Sequence, residues 1–152
     1  MISVYRLCRE EHSPSSGVGA KKYGARWNPI GFEVIYTAAT ASLAALEVLA
    51  HNAFLPTGYV VTEIQLPDTV RIETVADDDL PLDWDAPDYS PGAQQFGALW
   101  VRDRRSVALS VPSTIVPTER NFLLNPDHGD FGLVRFLASR PFIFDQRLKP
   151  KH

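Results

Sequence analysis

Residues 23–50, YGARWNPIGFEVIYTAATASLAALEVLA, encode a turn, a strand and a helix in direct succession. The NPIG sequence at 28–31 is typical of a tight turn, because proline and glycine both favour turn backbone geometry. The aromatic and β-branched residues at 32–38 predict a short buried strand. The apolar run at 41–50 predicts a helix, and the threonine and serine at its start are suitable caps. We expect the chain to be organised around these three elements.

Three polar residues lie on this stretch: Arg26 in the turn, Tyr36 on the strand and Glu47 in the helix. On a helical period, Glu47 shares a face with Leu43 and Leu46. An ionised carboxylate removed from water is costly unless it is paired or hydrogen-bonded. Glu47 is therefore expected either to have a structural partner or to line a cleft. If the strand and the helix pack together, all three polar side chains meet in one cleft.

Two further polar residues, Arg6 and Ser113, lie outside this stretch. Arg6 is on a predicted N-terminal strand, where it either reaches the same ligand as Arg26, faces solvent or bonds a carboxylate such as Glu47. Ser113 follows a proline at the end of a predicted strand at 107–111, so its hydroxyl can point into a cleft. No nucleophile elbow and no obvious His/Asp pair accompany Ser113. From the residues alone it is an ordinary turn serine.

A polar loop containing Asn121, Asn125 and His128 is expected before a final helix at 129–139. His128 is a candidate base, but a loop histidine that makes a structural hydrogen bond is the simpler interpretation. The other histidines show no ligand spacing with His128 or with a cysteine, so no metal site is predicted.

Length and composition narrow the class of protein. The 152 residues match one domain, and a net charge of −3 without a basic stripe argues against direct nucleic-acid binding. Cys8 is the single cysteine, which excludes an intrachain disulfide and predicts a small buried side chain. No signal peptide and no apolar run of about 20 residues is present, so we expect a cytoplasmic protein. The acidic stretch at 77–88 predicts a solvated loop anchored by Trp84 rather than a calcium site.

The rest of the chain alternates strands with a few helices, which predicts a single α+β domain over residues 1–152. The further predicted elements are strands at 1–8, 59–66, 70–75 and 142–145, a helix at 94–102 and a polar loop at 10–22.

An ordered set of motifs resembles the RES domain, a family of toxins from bacterial toxin–antitoxin pairs, named for arginine, glutamate and serine. The matching pieces are Tyr5-Arg6, SSGVGA at 15–20, GARWNPIG at 24–31, VIYTA at 34–38, LAALEVLAH at 43–51, VPS at 111–113, NFLLNPDH at 121–128 and FIFDQR at 142–147. The resemblance covers nearly the whole chain.

The resemblance implies an ADP-ribosyltransferase-like fold, in which two small antiparallel sheets form a cleft for NAD+. It implies an NAD+ glycohydrolase that cleaves the nicotinamide–ribose bond without a metal. It also implies an Xre-like helix-turn-helix antitoxin as partner, in a toxin–antitoxin hetero-oligomer that can be built around a toxin dimer.

The same resemblance implies a role for each candidate residue. Glu47 would stabilise the cation that forms on the ribose, and Arg26 would anchor a phosphate. Tyr36 would stack on the nicotinamide ring, and Ser113 would bind or orient the ligand. Arg6 and Asn121 are further candidates for binding NAD+.

Two other functions stay open. The ADP-ribose could be transferred to a protein or to phosphate; Ala45 stands two residues before Glu47, where the usual transferase has a second acidic residue, and this favours hydrolysis. A non-enzymatic module that binds a nucleotide or a partner helix in the same cleft is the third hypothesis.

Overall fold

The computed structural model describes residues 1–152 and is a mixed α+β fold. Its elements in chain order are β1 (Ile2–Arg9), α1 (Val18–Tyr23), β2 (Ile35–Ala38), α2 (Ala41–Ala50), β3 (Tyr59–Leu66), β4 (Ile72–Thr74), a 3-10 helix (Asp77–Asp79), α3 (Pro91–Asp103), β5 (Ala108–Pro112), β6 (Arg120–Leu124), a second 3-10 helix (Phe131–Leu133), β7 (Arg135–Phe136) and β8 (Arg140–Phe142). None of the helices combines the length and the apolar character that a membrane span requires.

The strands form one eight-stranded sheet rather than the expected two. Its order is β4-β5-β6-β2-β1-β3-β7, and β8 also pairs with β3. The sheet is nearly divided at its centre, because β1 and β2 share only the register pair Tyr5–Ala38. By contrast, β1 pairs with β3 along the whole of both strands, from Ile2–Leu66 to Arg9–Tyr59. The separation of β1 from β2 leaves room for a cleft between the two halves of the sheet.

Helix α2 covers this central separation and is capped as the sequence predicts. The Thr40 side chain accepts a hydrogen bond of 3.1 Å from the Leu43 backbone N–H, which satisfies one of the free donors of the first turn. Leu43 is buried but Leu46 is 41% exposed. Glu47 therefore lies at the edge of the buried face rather than on a wholly buried one, which is a correction to the predicted packing of the helix.

Helix α3 is predicted correctly and begins three residues earlier than expected, at Pro91, where Ser90 caps it. It packs against the turn that carries Arg26 at a position where only glycine fits. A Cβ atom on Gly97 would lie 1.6 Å from the backbone oxygen of Trp27. This close approach holds the turn against the core, in which Trp100 is fully buried.

Four predictions for individual segments differ from the structure. The expected helix at 129–139 is a 3-10 turn followed by β7, which pairs with the edge of β3. Asn121 lies on β6 rather than in a loop, because 120–124 pairs with both β2 and β5. In addition, the expected loop at 10–22 contains α1, and the last strand lies at 140–142 rather than 142–145. Cys8 is buried, as predicted.

Candidate active site

An open cleft of about 740 Å³ lies where β1 and β2 separate. Helix α2 forms one wall, and the segment 84–89, which we call the strap, contributes to another. Five of the six residues singled out in the sequence line the cleft: Arg6, Arg26, Tyr36, Glu47 and Asn121. The sixth, Ser113, is fully buried behind Glu47.

The Glu47 carboxylate is held by one of its two oxygens. Its Oε2 accepts a hydrogen bond of 3.0 Å from Ser113 Oγ and one of 2.6 Å from Asn121 Nδ2. Its Oε1 accepts no hydrogen bond from the protein. The carboxylate is thus oriented by two donors from β5–β6 and keeps one oxygen free for a ligand in the cleft.

The hydroxyl of Ser113 is oriented by the backbone around it. Its oxygen accepts hydrogen bonds of 3.1 Å from the backbone N–H groups of both Ile115 and Val116. A hydroxyl has one donor and two acceptor lone pairs, so its single hydrogen is left for Glu47. Ser113 therefore positions the carboxylate and does not face the cleft itself.

Asn121 completes this support but is itself incompletely bonded. Its Nδ2 faces the Glu47 carboxylate, whereas its Oδ1 is buried and has no hydrogen-bond partner. The amide cannot turn over to relieve this, because an oxygen would then face Oε2 at 2.6 Å. Buried polar atoms without partners are uncommon and mark either strain or a function.

Arg26 is held by backbone carbonyls and not by an acid. Its Nη1 donates to the carbonyl oxygens of Trp84 and Ala86 at 2.8 and 2.9 Å. The ring of Tyr89 lies 5.6 Å from the guanidinium carbon. Arg26 forms no salt bridge, so no acidic side chain neutralises its charge. Both of its hydrogen bonds come from Nη1, which leaves the Nε and Nη2 donors without a protein partner.

Arg6, on β1, lines the cleft and is arranged in the same way. Its Nη1 donates to the carbonyl oxygens of Pro14 and Ser16 at 2.7 and 2.8 Å. The pairing with Glu47 that the sequence left open is not formed: the Arg6 side chain bonds these two carbonyls and makes no salt bridge. Burial lowers the pKa of the Arg6 guanidinium from its usual value.

Tyr36 uses its hydroxyl for structure. The hydroxyl donates to Asn28 Oδ1 at 2.6 Å and accepts from the Trp27 backbone N–H at 3.0 Å. Burial raises the pKa of Tyr36 well above its usual value, so the phenol stays neutral. These bonds lock the turn at 24–28 to β2, and only the ring of Tyr36 is left to contact a ligand.

Sequence reasoning missed two residues of the cleft, His51 and Tyr89. His51 Nδ1 lies 2.7 Å from the Glu47 backbone oxygen, which can only accept, so Nδ1 carries the hydrogen. Its Nε2 lies 3.0 Å from the Tyr89 hydroxyl. The four-residue spacing from Glu47 could have indicated His51, but Tyr89 carries no sequence signal.

The remaining sequence candidates lie elsewhere. His128 does not line the cleft, and its Nδ1 accepts a hydrogen bond of 2.9 Å from the Asp130 backbone N–H. His128 therefore makes a structural hydrogen bond, which is the simpler of the two interpretations that the sequence left open. No three His, Cys, Asp or Glu side chains are grouped so that they could hold a metal ion. Trp84 anchors the strap by stacking on Trp27, with ring centroids 6.2 Å apart.

The chain is similar to known proteins over most of its length. The family model described as RES domain matches residues 3–145. The chain is 42% identical over 132 residues to "Toxin Res" of Photorhabdus laumondii, with 84% of each protein covered. It is 37% identical over 137 residues to "Prs ADP-ribosylating toxin" of Sphingobium sp., with 88% of this chain and 85% of that protein covered.

A solved structure has the same fold. A chain of the M. tuberculosis MbcT–MbcA toxin–antitoxin complex superposes with a TM-score of 0.74 at 21% identity, covering 93% of this chain and 84% of the other. Because the family model spans nearly the whole chain and two relatives exceed a third identity over most of their length, this protein belongs to the RES domain family.

Proposed function

We propose that this chain is the toxin of a toxin–antitoxin pair and that it cleaves the nicotinamide–ribose bond of NAD+. One observation carries the proposal. In a cleft that also contains two arginines without acidic partners, a carboxylate is held by two donors on Oε2 and has a free Oε1. The proposed fold is correspondingly ADP-ribosyltransferase-like, with the cleft at the near-division of the sheet.

The free oxygen of Glu47 suits the chemistry of this bond. As nicotinamide departs, positive charge develops on the ribose, and a fixed carboxylate nearby stabilises it. Because Ser113 and Asn121 already orient the carboxylate, little reorganisation is needed when the charge appears. The nicotinamide leaves as a neutral molecule, so the reaction needs no metal.

The two arginines suit the other end of the substrate. A dinucleotide diphosphate carries two negative charges, and a guanidinium offers a planar set of donors that matches phosphate oxygens. Arg26 and Arg6 each spend one nitrogen on backbone carbonyls and keep the others unbonded. We assign Arg26 to the diphosphate and Arg6 to the same group or to the adjoining ribose.

Tyr36 and Asn121 complete the proposed site. The ring of Tyr36 can stack on nicotinamide, while its hydroxyl keeps the Arg26 turn in place. The unpartnered Oδ1 of Asn121 is an acceptor next to the reacting centre, where a small adjustment on binding would let it receive a donor from the substrate. Ser113 is a positioning residue for Glu47.

Water is the proposed acceptor, and transfer is the second candidate. A specific observation favours transfer: the Sphingobium relative is named an ADP-ribosylating toxin. Ala45 lies on the buried part of α2 and supplies no second acid near Glu47 that could activate a protein side chain. Phosphate is a further possible acceptor. The amount of free ADP-ribose among the products separates hydrolysis from transfer.

An inhibitory partner is part of the proposal, because uninhibited cleavage of NAD+ would harm the host cell. The structural neighbour comes from a toxin–antitoxin complex. We propose an Xre-like antitoxin that supplies the DNA binding and forms a cytoplasmic hetero-oligomer with this chain, with a toxin dimer as one form of its core. The chain itself, with a net charge of −3, is not proposed to bind nucleic acid.

The proposal is tested by measuring NAD+ consumption by the purified chain, its Glu47→Gln variant and a Glu119→Gln control. Glu119 is exposed and does not line the cleft, so the control makes the same chemical change away from the site. We expect Glu47→Gln to lower turnover by about 10²- to 10³-fold, and the control to match wild type.

The products identify the reaction. Equal amounts of nicotinamide and free ADP-ribose would establish hydrolysis, whereas nicotinamide without free ADP-ribose would establish transfer. If the folded wild type releases no nicotinamide, the enzymatic proposal is wrong and a binding module is left.

A further inference from the structure

The strap at 84–89 has no regular secondary structure, yet it is joined to the cleft at three points. Two are the contacts already described, from Arg26 to the strap carbonyls and from Trp84 to Trp27. The third is Tyr89, which touches both walls of the cleft. Its ring lies against Arg26, and its hydroxyl bonds His51 at the end of α2.

We infer that Tyr89 is a positioning residue that orients the Arg26 guanidinium for the substrate diphosphate and ties the strap to α2. The inference rests on the proposed NAD+ site. It assigns a role to two residues, Tyr89 and His51, that the proposed chemistry does not otherwise use.

The orientation of a guanidinium decides what it can bind. Its donors lie in one plane, so it matches a diphosphate only when that plane faces the phosphate oxygens. The two strap carbonyls hold one nitrogen of Arg26, but rotation about this point would still turn the plane. The guanidinium carbon lies over the Tyr89 ring, 5.6 Å from its centroid, and the attraction between the ring and the cation opposes that rotation.

The hydroxyl of Tyr89 connects this arrangement to helix α2, which carries Glu47. His51 donates from Nδ1 to the Glu47 carbonyl and accepts from Tyr89 at Nε2 when the imidazole is neutral. When His51 is protonated, the Tyr89 hydroxyl can accept instead of donate, so the tie holds in both states. Arg26, Tyr89, His51 and Glu47 thus form one connected path from the diphosphate end of the site to the scissile bond.

The test is the Kd of ADP-ribose, measured by calorimetry, because this probe carries the diphosphate and needs no turnover to bind. The variants are Tyr89→Leu, Tyr89→Phe and a Tyr23→Leu control, in which an exposed tyrosine outside the cleft is changed. We expect Tyr89→Leu to weaken binding about tenfold. Tyr89→Phe keeps the ring, so its Kd for ADP-ribose should lie within about threefold of the wild-type value. The Tyr23→Leu control should bind ADP-ribose as tightly as wild type.

A double substitution shows whether Tyr89 acts through Arg26. In an Arg26→Gln background, Tyr89→Leu should weaken ADP-ribose binding by less than about twofold, because the group it orients is gone. In turnover of NAD+, Tyr89→Leu should raise KM and leave kcat within about threefold. A loss of folding alone would lower the active fraction, and so the apparent kcat, without raising KM or the Kd of ADP-ribose.

Three outcomes overturn the inference. The Kd of Tyr89→Leu could equal that of wild type, its effect could add in full to that of Arg26→Gln, or the wild type could bind no ADP-ribose. The proposed reaction is judged separately: wild type that binds ADP-ribose with the expected Tyr89 dependence but releases no nicotinamide supports this inference and contradicts NAD+ cleavage.

Discussion

Replacing Asn121 with aspartate would place a second carboxylate at the atom that now donates to Glu47, with almost no change in side-chain volume. The donor and acceptor are 2.6 Å apart. Two ionised groups at that distance repel by about 6 kcal/mol at an effective dielectric constant of about 20. We therefore expect the folded variant to retain one proton between the two carboxylates at neutral pH, as closely spaced carboxylate pairs do.

This shared proton makes the stability of the variant depend on pH. The unfolded chain releases the proton above about pH 4, whereas the folded variant keeps it. Because the folded state then binds more protons than the unfolded state, the free energy of unfolding falls as pH rises, by about 1.4 kcal/mol per pH unit. Between pH 5 and pH 8 the expected loss is about 4 kcal/mol, which lies within the repulsion calculated above.

Urea unfolding at pH 5 and pH 8, followed by tryptophan fluorescence, measures this loss. Wild type supplies the background of all other titrating groups, and Asn121→Ala supplies a variant that lacks the donor but adds no charge. We expect the free energy of unfolding of Asn121→Ala to lie below that of wild type by a similar amount at both pH values. The free energy of unfolding of Asn121→Asp should fall further below that of Asn121→Ala as pH rises. Parallel behaviour of the two variants would refute the close contact between Asn121 and the Glu47 carboxylate.

Two further predictions concern the turn that carries Arg26. Gly97→Ala should destabilise the fold by about 3 kcal/mol or more, because its Cβ atom would overlap the Trp27 backbone oxygen. Thermal unfolding compares this variant with a Gly19→Ala control, in which the added Cβ atom has no atom within 4 Å. Equal melting temperatures of the two variants would contradict the packing of α3 on the turn. Tyr36→Phe should cost about 1–3 kcal/mol at pH 7, because the Trp27 N–H loses its acceptor. Burial raises the pKa of Tyr36 in the folded state, so wild-type stability should fall above about pH 10, where the unfolded chain ionises. Urea titrations at pH 9 and pH 11 should show that this fall is absent from Tyr36→Phe. If the free energy of unfolding of Tyr36→Phe falls with pH as steeply as that of wild type, the role given to Tyr36 is wrong.

The elements that could be predicted are those specified by neighbouring residues. Helix α2 has a threonine cap and an apolar run, α3 has a serine cap followed by proline, and β3 has the side-chain alternation of a half-buried strand. These signals operate within a few residues, so they are visible without the rest of the chain. The same reasoning identified the turn, strand and helix that carry Arg26, Tyr36 and Glu47.

The segment at 129–139 shows where local reasoning ends. Its apolar residues can be read with a helical period, but Gly129 and Gly132 weaken a helix, and the edge of β3 offers hydrogen bonds to residues 135–136. The position of Asn121 was missed for a related reason. Residues 120–124 become a central strand only because β2 and β5 lie on both sides of them.

The sequence by itself determined the α+β class, the main helices, the buried cysteine and the family to which the chain belongs, because these depend on local patterns and ordered motifs. Only the tertiary structure decided how the site is held. Ser113 and Asn121 reach Glu47 from 66 and 74 residues away, and Tyr89 meets His51 across 38. Such contacts follow from strand pairing and from the separation of β1 and β2. No local propensity contains that information, because a hydrogen bond between distant residues depends on the path of the whole chain between them.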